Sequence, residues 1–167
     1  VKMELSNPNC QLNCIVQFDD FDIATEYAKL QLTPHCGAVV LFSGLVRQQF
    51  DGCLQGLELE HYPGMTELAM QKIAKQASIK FEIGAITAIH RVGILLPHDQ
   101  IVLVGVAAPH RKDAFAACEF MMDFLKNEVP IWKKSHFYQQ GTSQSAWVES
   151  KQSDVNAKDR WHGKISR

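Results

Sequence analysis

Apolar positions along this chain fall into alternating, continuous and helically spaced runs, and each kind predicts an element. After a polar lead-in over residues 1–10, the β-forming stretch 12–18 predicts a first strand. Asp19, Asp20 and Asp22 can cap and charge the start of a helix over about 22–32, with Ile23, Ala24, Tyr27 and Leu30 at helical spacing. Thr33-Pro34 ends it. Residues 36–46 are continuously apolar, which predicts a strand buried on both faces. A loop over 47–52 closes on the turn signal Asp51-Gly52. Residues 54–62 alternate, with Leu57 and Leu59 on one face and Glu58 and Glu60 on the other, as in a half-exposed strand.

Pro63-Gly64 breaks that strand, and a second helix runs to about residue 80 with Leu68, Ala69, Ile73 and Ala77 on its buried side. Residues 84–94 and 100–107 predict two strands joined through Pro97-His98-Asp99 as a hairpin. A third helix over about 110–127 carries the stripe Ala114, Ala117, Cys118, Met121 and Leu125, widened by Phe115 and Met122. Beyond Pro130, residues 131–138 and 145–149 predict two more strands around a polar loop at 141–143, and the tail after Ser150 is polar with an aromatic anchor at Trp161. Strands and helices do not alternate strictly, so the fold class is α+β rather than a doubly wound sheet. The expected organisation is one domain over 1–150 and a C-terminal tail over 151–167.

Composition narrows the function classes. The 167 residues suit one domain, and 46% hydrophobic with 21% charged residues is ordinary for a globular chain. A formal net charge of −1 gives no bulk argument for nucleic acid or membranes, so an anion site must be local. RNA binding through the basic C-terminal residues is disfavoured by that charge and by the lack of a stacking platform. Cys10, Cys14, Cys36, Cys53 and Cys118 are odd in number and irregularly spaced, which reads as reduced thiols; a zinc site on the Cys10/Cys14 pair is the lesser alternative. No membrane span or signal peptide is legible, and the expected location is cytoplasmic.

Candidate chemistry centres on residues 108–134. His110 and Arg111 sit where the third helix should start, and cations there oppose the helix dipole. They would strengthen an anion pocket built on the free N–H groups, or else form a solvated loop pair. Lys126 ends the helix; it is either a surface partner of Asp123 or a partly buried nucleophile or base. Of Lys133 and Lys134, one should point inward. Arg47 directly follows a strand, as a residue aimed into a cleft or a solvated loop cation. The stretch 61–65 is a binding turn or a capped strand-to-helix joint, and His90-Arg91 reads as structural. Phosphate-loop, nucleophile-elbow and zinc-helix motifs are absent from the sequence.

Seven stretches, in order, resemble the large, catalytic subunit of molybdopterin synthase: GAVVLFSGLVR (37–47), LEHYPGMTE (59–67), IHRVG (89–93), PHR…AF (109–115), FLK…P-x-WK (124–133), WVE (147–149) and SD…RW (153–161). The resemblance implies an α+β fold with a hammerhead-like β motif, a mixed or antiparallel sheet and about three helices. It implies a homodimer of large subunits within a heterotetramer, each binding a small ubiquitin-like sulfur carrier. The carrier's Gly-Gly tail bears a thiocarboxylate, and its sulfur passes to cyclic pyranopterin monophosphate to form the molybdopterin dithiolene. No metal and no organic cofactor is implied. Lys126 and Lys133 match the catalytic lysines, Arg47, His110 and Arg111 the anion-pocket residues, and Phe42 and Met122 its apolar wall. Lys151 stands where the family often carries an arginine that reaches in from the neighbouring subunit; lysine lacks the bidentate fork for phosphate. The rival expectation is a non-catalytic scaffold for a ubiquitin-like tail or a phosphorylated metabolite.

Overall fold

The structure, a computed structural model, describes residues 9–48, 53–149 and 152–161; Lys151 and the Asp51-Gly52 turn lie outside them. The order is β1 (Gln11–Gln17), α1 (Ile23–Gln31), β2 (Ala38–Leu45), β3 (Leu54–His61), α2 (Met65–Lys80), β4 (Ala85–Arg91), β5 (Gly93–Leu95), β6 (Gln100–Ala108), α3 (Arg111–Glu128), β7 (Ile131–Gln139), β8 (Thr142–Trp147) and α4 (Gln152–Asp159). Two four-stranded sheets result, ordered β1-β4-β6-β2 and β5-β3-β7-β8. The first is mixed, because β1 runs parallel to β4; the second is antiparallel throughout. This is the expected α+β class, with α4 added to the three helices read from the sequence. No helix among the described residues is long and apolar enough to cross a membrane.

The centre of the first sheet is the antiparallel pair β4–β6, buried along nearly its whole length. Ile86, Ala88, Val102, Val104, Val106 and Ala108 pack into the main core with α2 and α3. Ala85, Ile89, Leu103 and Ala107 face the other way, toward Leu30 of α1 and Phe21 before it. Each fully buried Val, Leu or Ile contributes about 1.5–3 kcal/mol, so covering both faces makes this pair the stable base of the molecule. Gly105 lets α1 lie close: a Cβ there would overlap the Leu30 side chain.

Several sequence expectations change in the tertiary structure. The apolar run 36–46 is not a two-faced buried strand; among the described strands β2 is an edge, paired only with β6, and Phe42 and Leu45 are 40% and 53% exposed. Apolarity there serves a cavity wall. The single strand expected over 84–94 divides at Gly93, whose φ of 89° turns the chain so that β5 joins the second sheet. In α1, Glu26 is buried while Ala24 and Tyr27 are exposed; Asp22 caps the helix through the Ala24 and Thr25 N–H groups. In α2 the buried side holds Met70, Ile73, Ala74 and Ala77, and Leu68 is exposed. The α3 stripe is buried as expected at all five positions, whereas Phe115 is 63% exposed. The polar loop at 141–143 tightens to Gln140-Gly141, both at positive φ, the turn that matches strand twist between β7 and β8.

The segment that ends the described residues, at Arg160-Trp161, is tied to α3. Asp123 Oδ2 of α3 accepts hydrogen bonds from Arg160 Nη2 at 2.6 Å, Arg160 Nε at 3.2 Å and Trp161 Nε1 at 2.7 Å. Arg160 also meets Glu119 at 2.8 Å. The Trp161 ring packs edge-on against Phe81 and Phe120. Replacing Trp161 by alanine removes the ring contacts and one donor to Asp123. Thermal unfolding followed by circular dichroism should show a loss of about 2–3 kcal/mol, or roughly 5–10 °C in Tm.

Candidate active site

The second sheet closes against the first at the C-terminal end of α3. The connection is short: Val129 ends the helix, Pro130 forbids its continuation, and β7 starts at Ile131. Thr66, fully buried at the start of α2, places its hydroxyl 3.0 Å from the Tyr62 carbonyl and 3.1 Å from the Pro130 carbonyl. Glu67 accepts the Gly64 N–H at 2.7 Å. Residues 61–65 are thus a capped strand-to-helix joint that also holds the start of β7.

A cavity of about 200 Å³ opens where these elements meet, lined by Lys126, Lys133, His90, Phe42 and Met122 among others. Alternation explains the arrangement. Phe42 and Gly44 of β2 share the face of Ala38 and Val40, which packs toward α3. Lys133 lies on the face of β7 turned to the cavity, while Lys134 turns away and sets its ammonium 5.4 Å from the centre of the Trp147 ring. The inward lysine of the pair is therefore Lys133. Lys126 is exposed at the rim rather than partly buried. A larger cavity, about 320 Å³, lies against β7 and β8 around Cys53, Ser135, Phe137 and Trp147, and neither Lys126 nor Lys133 lines it.

The other expected site residues lie elsewhere on the chain. Arg47 is exposed, two residues beyond Leu45 of the cavity wall, and so at the Lys126 end. His110 is the N-cap of α3, Arg111 its first residue, and both are exposed. At 1.5 Å per residue, fifteen or sixteen helical steps set them roughly 22–24 Å from Lys126. The β2–β6 register agrees: Ala38 pairs with Ala108 beside His110, and Gly44 pairs with Val102 at the cavity. Within one chain, the His110–Arg111 pair and the lysine pair cannot touch one small ligand. Lys151 lies outside the described residues.

The His90-Arg91 pair, expected to be structural, divides between two surroundings. Arg91 is the structural half of the pair: its guanidinium donates to the Phe18 carbonyl at 3.2 Å and the Gln100 carbonyl at 3.0 Å. His90 is 8% exposed and lines the cavity. Its period-2 relation to Ile86 and Ala88 was the available signal. Nδ1 lies 2.8 Å from the Arg91 carbonyl, which only accepts, so Nδ1 carries the proton. Burial pushes the imidazole down to about 4, with the charges of Lys133 and His61 acting in the same direction and the Arg91 hydrogen bond opposing them.

All five cysteines are free, and burial raises Cys10 and Cys14 to about 11, away from the thiolate a metal needs. No cluster of three or more metal-ligating side chains occurs among the described residues.

Known proteins place this architecture. The family model described as MoaE protein matches residues 16–128. The molybdopterin synthase catalytic subunit of Rhizobium meliloti is 50% identical over 87% of this chain and 93% of its own length. The molybdopterin biosynthesis MoaE protein from Burkholderia ambifaria superposes with a TM-score of 0.76 at 43% identity, covering 92% of this chain and all of that one. The crystal structure of molybdopterin synthase from Staphylococcus aureus gives a TM-score of 0.72 at 32% identity over 80% of this chain and 95% of that one.

His90 makes stability depend on pH. Its folded value of about 4 is below the unfolded 6.5, so the unfolded chain takes up a proton first as pH falls. Stability should be lost from about pH 6.5 downward, by roughly 3 kcal/mol when pH 4 is reached. Denaturant midpoints measured across that window should show the decline in the wild type and a flatter profile in His90→Leu.

Proposed function

The chain belongs to the MoaE protein family, and on that premise we infer that it is the catalytic subunit of a molybdopterin synthase, a sulfur-transferring enzyme. The donor is the C-terminal thiocarboxylate of a small ubiquitin-like subunit, and the acceptor is cyclic pyranopterin monophosphate. Two large subunits pair, and each engages one small subunit. Supporting this reading above all is the meeting of Lys126 and Lys133, from a helix and a strand, at one narrow cavity with apolar walls. A scaffold for a tail needs cations, but not two lysines converging on the place where the tail would end.

The chemistry follows from that geometry. A slim Gly-Gly tail fits a cavity of about 200 Å³ that would refuse bulkier residues. The thiocarboxylate sulfur is the nucleophile: it bonds to an oxygen-bearing carbon of the pterin side chain as the carbon–oxygen bond there breaks, the oxygen leaving with a proton supplied by a lysine, and an acyl–sulfur link to the tail results. Water then adds at the acyl carbon and the acyl–sulfur bond breaks, leaving a carboxylate on the small subunit and a thiol on the pterin. An ammonium group steadies the oxygen charge that develops at the acyl carbon, and a lysine serves as the proton donor or acceptor. Phe42 and Met122 supply apolar wall to the cavity that receives the tail. Arg47 lies on the Lys126 side to meet the substrate's phosphate.

His110 and Arg111 are too far from Lys126 along their own helix, so the pair that serves this cavity belongs to the second large subunit. Lys151 is assigned to the same cross-subunit role, as a single-point contact in place of a guanidinium fork. On this reading residues 1–150 form the catalytic domain, and the tail from 151 docks on α3 through Trp161. A cytoplasmic location accords with the five free thiols.

The decisive experiment assembles the complex with thiocarboxylated small subunit and pterin precursor. Lys126→Ala should reduce product formation by at least about a hundredfold with an unchanged circular dichroism spectrum. Full activity in that variant would remove Lys126 from the mechanism.

A further inference from the structure

We propose that Thr66 is the positioning residue for Lys133, its buried hydroxyl serving as the last rung of the ladder that carries this lysine to the cavity. The contact stands on geometry alone; its consequence for sulfur transfer rests on the function proposed above. Strands β3 and β7 pair antiparallel, Leu59 with Lys133, Glu60 with Trp132 and His61 with Ile131. Tyr62 and Pro130 would be the next pair. Proline has no N–H to give, and a side chain replaces the backbone rung. The Tyr62 N–H donates to Thr66 Oγ1 at 3.1 Å, and Oγ1 lies 3.1 Å from the Pro130 carbonyl. The hydroxyl has a second acceptor in reach, the Tyr62 carbonyl at 3.0 Å. That carbonyl already accepts the Thr66 N–H at 3.0 Å. The hydroxyl is thus free to donate to Pro130 while its lone pair takes the Tyr62 N–H.

The rung is held firmly. Thr66 is fully buried, and its β-branched side chain has a restricted χ1. Glu67 closes the first turn of α2 on the Gly64 N–H, and Met70, Ile73, Ala74 and Ala77 fix that helix in the core. What the rung holds is the hinge between two lysine-bearing elements. Lys126 lies four residues before Pro130 on α3, whose Ala117, Met121 and Leu125 are packed in the same core. Lys133 lies three residues after it on β7. Val129 and Ile131, on either side of Pro130, both line the cavity. The end of a ladder is where local opening starts, and this end is three residues from Lys133. Pinning Pro130 to the start of α2 fixes the start of β7 against α3, and so sets where Lys133 stands in the cavity that Lys126 borders.

Contact and consequence are tested separately, in the full-length protein. Amide hydrogen exchange reads the contact. The Tyr62 amide should exchange roughly tenfold faster in Thr66→Val, which keeps the shape and removes the hydroxyl, and near the wild-type rate in Thr66→Ser. Backbone NMR resonances over 129–133 should move in Thr66→Val and return in Thr66→Ser. In the assembled complex with thiocarboxylated small subunit and pterin precursor, Thr66→Val should cut kcat about tenfold. KM for the small subunit should stay nearly unchanged, and Thr66→Ser should restore most of the rate. In a Lys133→Ala background Thr66→Val should cost little more, because the residue it acts through is gone. The proposal is overturned by equal losses in the two backgrounds, by an undiminished kcat, or by Tyr62 exchange and 129–133 resonances that ignore Thr66→Val. Should that variant not fold, Thr66→Cys, whose thiol bonds more weakly, is judged by the same criteria. A wild-type complex that transfers no sulfur, beside a Tyr62 amide that responds as described, would sink the function reading and leave the contact standing.

Discussion

Two-faced burial of the β4–β6 pair is the constraint from which the site follows. With α1 on one side and α2 and α3 on the other, neither strand can slip by a residue without turning Val104 and Leu103 to each other's environments. That register sets where β2 lies, because it pairs only with β6. It also sets which side chains at the sheet's far end look toward α3: Phe42, His90 and Val102. The cavity floor is thus a by-product of core packing, and its precision derives from that packing.

The second sheet supplies what the first lacks. Its strand β7 follows α3 after a single turn, and Thr66 ties that turn to α2. Lys133 is in this way brought to the helix end that carries Lys126. On the outer side of α3, Asp123 and Glu119 take the tail's Arg160 and Trp161. One helix therefore carries a structural anchor on one flank and cavity residues on another, and its two ends face different jobs. The separation of His110 from Lys126 makes a second subunit part of the proposed site's construction, since no bending of an 18-residue helix brings its ends together.

Much of the fold was legible. The α3 stripe, the capped start of α1, the helix stop at Pro130 and the α+β class all follow from local periodicity and caps. The errors have one physical origin, which is that an apolar residue says nothing about what covers it. The run 36–46 looks like a central strand because Phe42 and Leu45 are apolar, yet they border a cavity at a sheet edge. Leu68 and Phe115 sit at core spacing but on uncovered arcs of their helices. Histidine next to arginine looks like one structural unit, although alternation on β4 sends the imidazole to the cavity and leaves the guanidinium to bind backbone.

By itself, the sequence determined most of the elements, the α+β class and, through ordered motifs, the family and the match of Lys126 and Lys133 to its lysine positions; those are local or one-dimensional properties. Only the tertiary structure decided that Lys133 rather than Lys134 turns inward, that His90 shares their cavity, and that His110 and Arg111 stand a helix length away. Each of those depends on which surfaces of separate elements meet, and contact between residues far apart in the chain is set by packing and register, which no local pattern of residues encodes.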